Sequence, residues 1–124
     1  MNMKFAKTVY MTAGIYGLIV LLPQYFLEKK YGIDFPPPIT HPEFYYGFIG
    51  VAVAWQVLFL VLSRDPVRYR AMMIPTMLEK FSFTIAVVVL YLQNRVAGMM
   101  LLSGMIDLLF GLLFVAAYLK TPKD

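Results

Sequence analysis

The chain has 124 residues, of which 60% are hydrophobic and 15% are charged, and its mean hydropathy is +0.70. A soluble domain has about a quarter charged residues, and a domain this small leaves much of its area facing solvent. The composition therefore excludes a soluble enzyme and a disordered tail. The lack of cysteine excludes a disulfide-stapled secreted module and thiol chemistry. The length predicts one domain over residues 1–124.

Four apolar runs predict four transmembrane helices. They cover residues 8–27, 44–62, 71–93 and 97–119. A helix of about 20 residues spans the hydrocarbon core of a bilayer, so all four runs are long enough. Strands of an open sheet are excluded because unpaired backbone groups in lipid are too costly. The predicted fold is an all-α integral membrane protein, a four-helix bundle.

The first run follows Lys4 and Lys7, as the apolar centre of a signal peptide does. It continues into residues 23–30 without the small-residue cleavage site of such peptides, so we expect a retained helix.

The loop charges predict the orientation of the helices. If the N-terminus lies inside, the inner segments hold seven basic residues: Lys4, Lys7, Arg64, Arg68, Arg70, Lys120 and Lys123. The outer segments then hold only Lys29, Lys30 and Arg95. The positive-inside rule therefore predicts that both termini are cytoplasmic, in a bacterial inner membrane. The net charge of +4 is explained in this way, and no nucleic-acid partner is expected.

The loop over residues 28–43 is the longest connection. Its three prolines at 36–38 predict an extended, stiff segment. Thr40 and Glu43 fit a capping box for the second helix, with Pro42 in the first turn.

Local signals also predict the start of the third helix. Asp65 followed by Pro66 indicates a cap and a first helical residue, so this helix is expected to begin at Pro66. Pro75 removes a hydrogen bond to Ala71 and is expected to bend the helix.

Ionisable residues interrupt the last two apolar runs halfway along them. Glu79 and Lys80 lie near the centre of the third run, and Asp107 near the centre of the fourth. A charge at this depth costs about 2.5–3.5 kcal/mol on insertion scales, so it normally faces a partner inside the bundle. The first two runs place Tyr16, Trp55 and Gln56 at similar depth. We therefore predict a midplane ligand-binding site formed by Tyr16, Trp55, Gln56, Glu79, Lys80 and Asp107.

The positions of the charges also predict how they pair. Lys80 and Asp107 form the natural ion pair between helices, whereas Glu79 and Lys80 point about 100° apart on a helix and do not face each other. Glu79 is then left without a cation, which makes it the candidate proton carrier or hydrogen-bond donor to a ligand. In a catalytic version, Glu79 is the acid and Asp107 the base that move a proton on a lipid.

Two other readings explain the same charges. They form a purely structural cluster, with Lys80 extended toward the cytoplasm. Alternatively, Pro75 breaks the helix and the span begins later, which places Glu79 and Lys80 nearer the inner interface. Three functions follow. We favour the binding of a small apolar or amphipathic, lipid-like ligand from the bilayer. The alternatives are a non-catalytic structural or accessory subunit of a larger membrane complex and a homodimeric proton-coupled transporter. Whether the protein is an enzyme stays open.

The sequence predicts no metal and no cofactor. His41 is the one histidine, and we expect it at a helix cap because transition-metal sites usually combine several His or Cys ligands. Bis-His and thiolate haem ligation, a Gly-rich phosphate loop and a nucleophile elbow are all excluded. In size, helix number and midplane acids the chain is similar to small four-helix membrane proteins such as the EXPERA group and the bacterial DoxX-like proteins. That similarity is architectural, without a shared motif, and assigns no family.

Overall fold

A computed structural model describes residues 3–123, which form five α-helices, two 3-10 segments and no strand. The helices are α1 (Lys4–Leu21), α2 (Glu28–Asp34), α3 (Pro42–Arg64), α4 (Met73–Leu92) and α5 (Gly98–Lys120). The 3-10 segments are Leu22–Phe26, which extends α1, and Arg70–Met72, which leads into α4. The all-helical prediction is confirmed for this part of the chain.

Four helices, two of them counted together with their adjoining 3-10 segments, are long and apolar enough to cross a membrane. They are Lys4–Phe26, Pro42–Arg64, Arg70–Leu92 and Gly98–Lys120, each of 23 residues. Each covers most or all of one predicted apolar run. The prediction of four long apolar helices is therefore confirmed.

Prolines close two of these helices. Pro23 has no N–H to donate to the preceding turn, and the chain tightens there from α-helix into the 3-10 segment. At the other end of the chain, α5 stops at Lys120, Thr121 is extended, and Pro122 follows. A proline just beyond a helix is common because it cannot continue the helix.

The connection before α3 differs from the extended segment that the prolines predict. Its first half is helical, because Glu28 lies in the first turn of α2 and Lys30 pairs with Asp34 one turn later, at 2.7 Å. Aromatic packing holds α2 against α3: the Tyr31 ring lies 5.5 Å from the Tyr45 ring, and burial raises the pKa of Tyr31. Only residues 35–41 of the loop are non-helical.

The predicted capping box at Thr40 is wrong. His41 occupies the N-cap position of α3 without a side-chain cap bond, and Pro42 is the first helical residue. Pro42 carries a φ angle already suited to a helix, so α3 begins there and Thr40 lies one residue too early to cap it. The expected position of His41 at a helix cap is confirmed.

The third long helix begins later than Pro66. The Arg68 N–H donates to Asp65 Oδ1 at 3.3 Å, so Asp65 does cap a turn, but the regular helix starts only at Met73. Pro75 is consequently the third residue of α4. In the first turn of a helix the N–H groups have no partner within the helix, so the missing N–H of Pro75 breaks no hydrogen bond of α4.

The four long helices form two antiparallel hairpins. Helix α1 packs against α3, α4 packs against α5, and contacts between α1 and α5 join the hairpins. The hydrophobic core cluster lies toward the end that holds the first residues of α1 and the last residues of α5. Here the Tyr10 ring stacks on Phe114 at 4.2 Å and meets Phe59 edge-on at 6.0 Å. The Tyr10 hydroxyl also forms a 2.8 Å hydrogen bond with Thr76 Oγ1, which ties α1 to α4.

Candidate functional site

Three ionisable side chains meet about halfway along α4 and α5. Lys80 Nζ lies 3.4 Å from Asp107 Oδ1, and this predicted ion pair is confirmed. Lys80 Nζ also lies 3.6 Å from Glu79 Oε1, so the prediction that Glu79 has no cation is wrong. Neighbouring positions on a helix diverge at Cβ, but the flexible four-carbon stem of lysine lets the ammonium group turn back between both carboxylates. We call Glu79, Lys80 and Asp107 the charged cluster.

The charged cluster is buried unevenly. The Lys80 side chain is only 8% exposed, whereas those of Glu79 and Asp107 remain 21% and 18% exposed. Glu79 Oε1 has no hydrogen-bond partner among the described residues, although it faces the ammonium group. Two carboxylates share one ammonium, so the fully ionised cluster carries one net negative charge.

Aromatic rings surround the ammonium group of Lys80. Its Nζ lies 5.3 Å from the centre of the Phe59 ring and 5.7 Å from that of Phe110. The negative faces of aromatic rings attract a cation within about 6 Å. Helices α3, α4 and α5 therefore all contribute to the surroundings of Lys80.

Close packing of α4 against α5 brings the charged cluster together. A Cβ added at Gly111 would lie 2.6 Å from the Phe81 ring, and one at Gly104 would lie 3.0 Å from Val87. Thr84 Oγ1 lies 3.0 Å from the carbonyl oxygen of Gly104 and links the two helices. Glycine permits this approach, which lets the Lys80 side chain reach Asp107.

The other predicted site residues have different neighbours. The Tyr16 ring lies 5.6 Å from that of Phe110, so Tyr16 approaches the charged cluster through one intervening ring. Gln56 is buried against Gly17 of α1. Its amide nitrogen donates to the carbonyl of Ala52, one turn earlier on α3, at 2.9 Å, and its Oε1 has no partner among the described residues. Trp55 packs against the core cluster. The structure thus brings together the three charged residues, with Tyr16 nearby.

Two surface cavities lie at the ends of the bundle, and the charged cluster lines neither. The larger, of about 580 Å³, is bounded by the 3-10 segment after α1, by α2 and the loop that follows it, and by the start of α3. It exposes aromatic rings beside Glu28 and Lys29. The smaller, of about 240 Å³, lies between the start of α4 and the end of α5.

Sequence reasoning missed two features of this region. Phe59 and Phe110 surround Lys80, and a helical-spacing signal for one of them was present, because Phe110 follows Asp107 by three residues on α5. The buried Tyr10–Thr76 hydrogen bond joins residues 66 positions apart, and no local pattern predicts it.

No group of three or more His, Cys, Asp or Glu side chains that could hold a metal ion occurs within residues 3–123. No protein-family model, curated protein or solved structure matches the chain.

Proposed function

We propose that this chain is a multi-pass protein of the bacterial inner membrane with both termini in the cytoplasm. Four 23-residue apolar helices support insertion in a bilayer. The orientation follows from the basic residues, seven of which lie at the end that holds both chain termini and three at the other.

The function we propose is the binding of a small apolar or amphipathic ligand at the charged cluster. The observation that carries this proposal is the sharing of one lysine by two carboxylates, with Glu79 Oε1 left without a hydrogen bond from any residue within 3–123. In lipid, a cluster with one surplus negative charge requires a proton or a cation for neutrality. The site therefore favours a ligand whose protonated amine supplies the missing positive charge, or whose hydroxyl supplies the hydrogen bond that Glu79 Oε1 lacks among the described residues.

Partial exposure of the two acids gives such a ligand a route. Glu79 and Asp107 each keep about a fifth of their side-chain surface accessible at this depth. The apolar part of the ligand would lie against the surface of α4 and α5. Its polar group would approach the Glu79 side chain, whose Oε1 is shielded and would have to turn outward to meet it. A proton held between Glu79 and the ligand would permit acid–base chemistry with Asp107 as the second carboxylate.

A structural role in a larger membrane complex is the second candidate. The closed contact between Lys80 and Asp107 favours it, and the charged cluster lines neither of the two cavities described above. In that role the charged cluster fixes the order of the helices and binds nothing.

Lipid extraction from the purified protein separates the two candidates. Wild type, Glu79→Gln and Glu43→Gln are purified in native lipid nanodiscs, and the co-purified molecules are identified by mass spectrometry. Glu43 is the matched control, since it is an exposed acid in the first turn of α3, far from the cluster. We expect a molecule with a hydroxyl or amine group to be enriched with wild type and Glu43→Gln and lost with Glu79→Gln. Identical extracts from all three proteins would contradict ligand binding and favour the structural role.

A further inference from the structure

The end of the bundle that holds both chain termini contains a small basic cleft. Arg68, Arg70 and Lys123 line this cavity of about 240 Å³, together with Tyr118, Ala71 and Ile74. Its volume lies below the roughly 300 Å³ at which pockets for drug-sized ligands begin. The cleft is therefore suited to a small charged group.

Arg70 is held rigidly at the edge of this cleft. Its Nε–H is shared between the carbonyl oxygens of Thr121, at 2.8 Å, and Tyr118, at 3.3 Å. The guanidinium carbon also lies 3.8 Å from the centre of the Tyr118 ring. The hydrogen bonds that Arg70 makes within residues 3–123 use Nε alone, so both terminal nitrogens remain as donors. A planar guanidinium in this state suits two oxygens of one phosphate group.

The charges around the cleft are mostly positive. Lys7, Arg64 and Lys120 lie at the same end of the bundle, and Asp65 is the one acidic side chain that the structure describes there. An anion is thus attracted from a distance as well as in the cleft.

The apolar side of the cleft distinguishes a lipid from a free anion. Ala71 and Ile74 are exposed and lie at the start of α4, where a candidate span begins. An acyl chain attached to a bound phosphate would run along these residues into the bilayer. A soluble anion would leave them in water.

From these observations, we propose that the cleft binds the phosphate of an anionic phospholipid. Arg70 and Arg68 contact the phosphate oxygens, Lys123 covers them, and the acyl chains pass Ile74. This proposal rests on the proposed insertion in a bilayer but not on the midplane ligand, so either binding site can exist without the other.

The test compares two double variants that remove equal charge from the same end. Arg68→Gln/Lys123→Gln changes the cleft, and Lys7→Gln/Arg64→Gln is the matched control outside it. Each protein, in neutral detergent, is titrated with phosphatidylglycerol and with phosphatidylcholine, and bound lipids are counted by native mass spectrometry. A basic residue near an anionic lipid contributes about fivefold in affinity, so the cleft variant should bind phosphatidylglycerol about tenfold or more weakly. The control should stay within about twofold of wild type, since the anchored Arg70 and its neighbours are intact.

Two further readouts complete the test. Arg68 and Lys123 are exposed side chains, so an unchanged melting temperature of the cleft variant would show that weaker binding is not unfolding. If both variants bound phosphatidylglycerol equally more weakly than wild type, lipid binding would be assigned to diffuse surface charge and the proposal would be overturned. Equal affinity of the wild-type protein for phosphatidylcholine and phosphatidylglycerol would also overturn it. Displacement of phosphatidylglycerol by millimolar inorganic phosphate would assign the cleft to a free anion instead of a lipid.

Discussion

Lys80 lets two half-buried carboxylates lie close to each other, because its ammonium group offsets part of their negative charge. It is the one cation of the charged cluster, and it lies between carboxylates that are themselves mostly shielded. An ion pair in a low-dielectric interior is of small net value, but the removal of one partner leaves a charge without compensation. The stability of this region therefore depends more on the balance of charges than on their number.

Replacement of this cation is expected to destabilise the fold more than neutral replacement of the whole cluster. Lys80→Met should lower the free energy of unfolding by about 3 kcal/mol, because Glu79 and Asp107 then face each other without a cation. The triple variant Lys80→Met/Glu79→Gln/Asp107→Asn should recover most of that loss, since it leaves no buried charge. Unfolding in detergent micelles measures both. A triple variant no more stable than Lys80→Met would show that the ammonium group acts through packing instead of charge.

For single residues, the sequence predicts the position along a helix better than it predicts which side chains come into contact. The Lys80–Asp107 pair was predictable because both residues lie near the centres of their apolar runs. The contact with Glu79 was not, because the direction of Cβ does not determine where a long lysine side chain ends. Gln56 is polar like the residues of the charged cluster, but its side chain lies against Gly17 of α1. The direction in which it points is set by the rotation of α3 about its own axis, which depends on packing with residues distant in sequence.

Glycines set the distance between neighbouring helices. Gly111 receives the Phe81 ring of α4, whereas Gly47 near the start of α3 has no atom within 4 Å of an added Cβ. Gly111→Ala should therefore destabilise the protein by about 1–3 kcal/mol through overpacking of α4 against α5. Gly47→Ala, the control, should leave stability unchanged or raise it by up to about 1 kcal/mol, as alanine does in an open helix. Thermal unfolding in one detergent compares them, and equal effects would contradict the close contact at Gly111.

Arg70 closes the C-terminal end of α5. The last carbonyl groups of a helix lack partners within it, and the Arg70 side chain supplies one for Tyr118 and for Thr121. Arg70→Gln removes a charged donor worth about 1.5 kcal/mol, so amide hydrogen exchange in the last turn of α5 should accelerate about tenfold. Arg68→Gln is the control, because Arg68 lies against Tyr69 and forms no hydrogen bond to α5 among residues 3–123. Equal exchange in the two variants would show that the turn is held by Thr121 alone, whose hydroxyl donates to Ala117.

Long helices and their connections differ in how well the sequence predicts them. An apolar run of about 20 residues carries one dominant signal, and all four runs became helices. The connections carry short-range signals that favour different local structures, and the sequence alone does not show which signal is stronger. Pro42 starts α3 ahead of a Thr40 cap, and an ion pair at 2.7 Å between Lys30 and Asp34 favours a turn of helix where the later prolines suggested an extended chain.

The whole molecule is two helical hairpins joined most firmly at one end. The buried rings of Tyr10, Phe59 and Phe114 lie near the chain termini, as does the bond between Tyr10 and Thr76. At the opposite end, which holds the loops at residues 35–41 and 93–97 and is called the loop end, the described contacts are mainly those within each hairpin, such as Val87 with Gly104. The core cluster and most of the basic residues therefore lie at the same end of the bundle. In a bilayer, this end would lie near one of the two membrane surfaces, and the orientation of the protein decides which one.

That direction can be measured directly because the chain contains no cysteine, so every introduced thiol is unique. Lys30→Cys and Arg95→Cys mark the loop end, and Lys7→Cys and Lys123→Cys mark the end with the termini; all four positions are exposed. With seven basic residues at one end and three at the other, the positive-inside rule predicts that the end with the termini faces the cytoplasm. A membrane-impermeant maleimide added to intact spheroplasts should therefore label only Lys30→Cys and Arg95→Cys, and permeabilised cells should label all four. The reverse pattern would invert the topology, and labelling of all four in intact spheroplasts would contradict insertion across the bilayer.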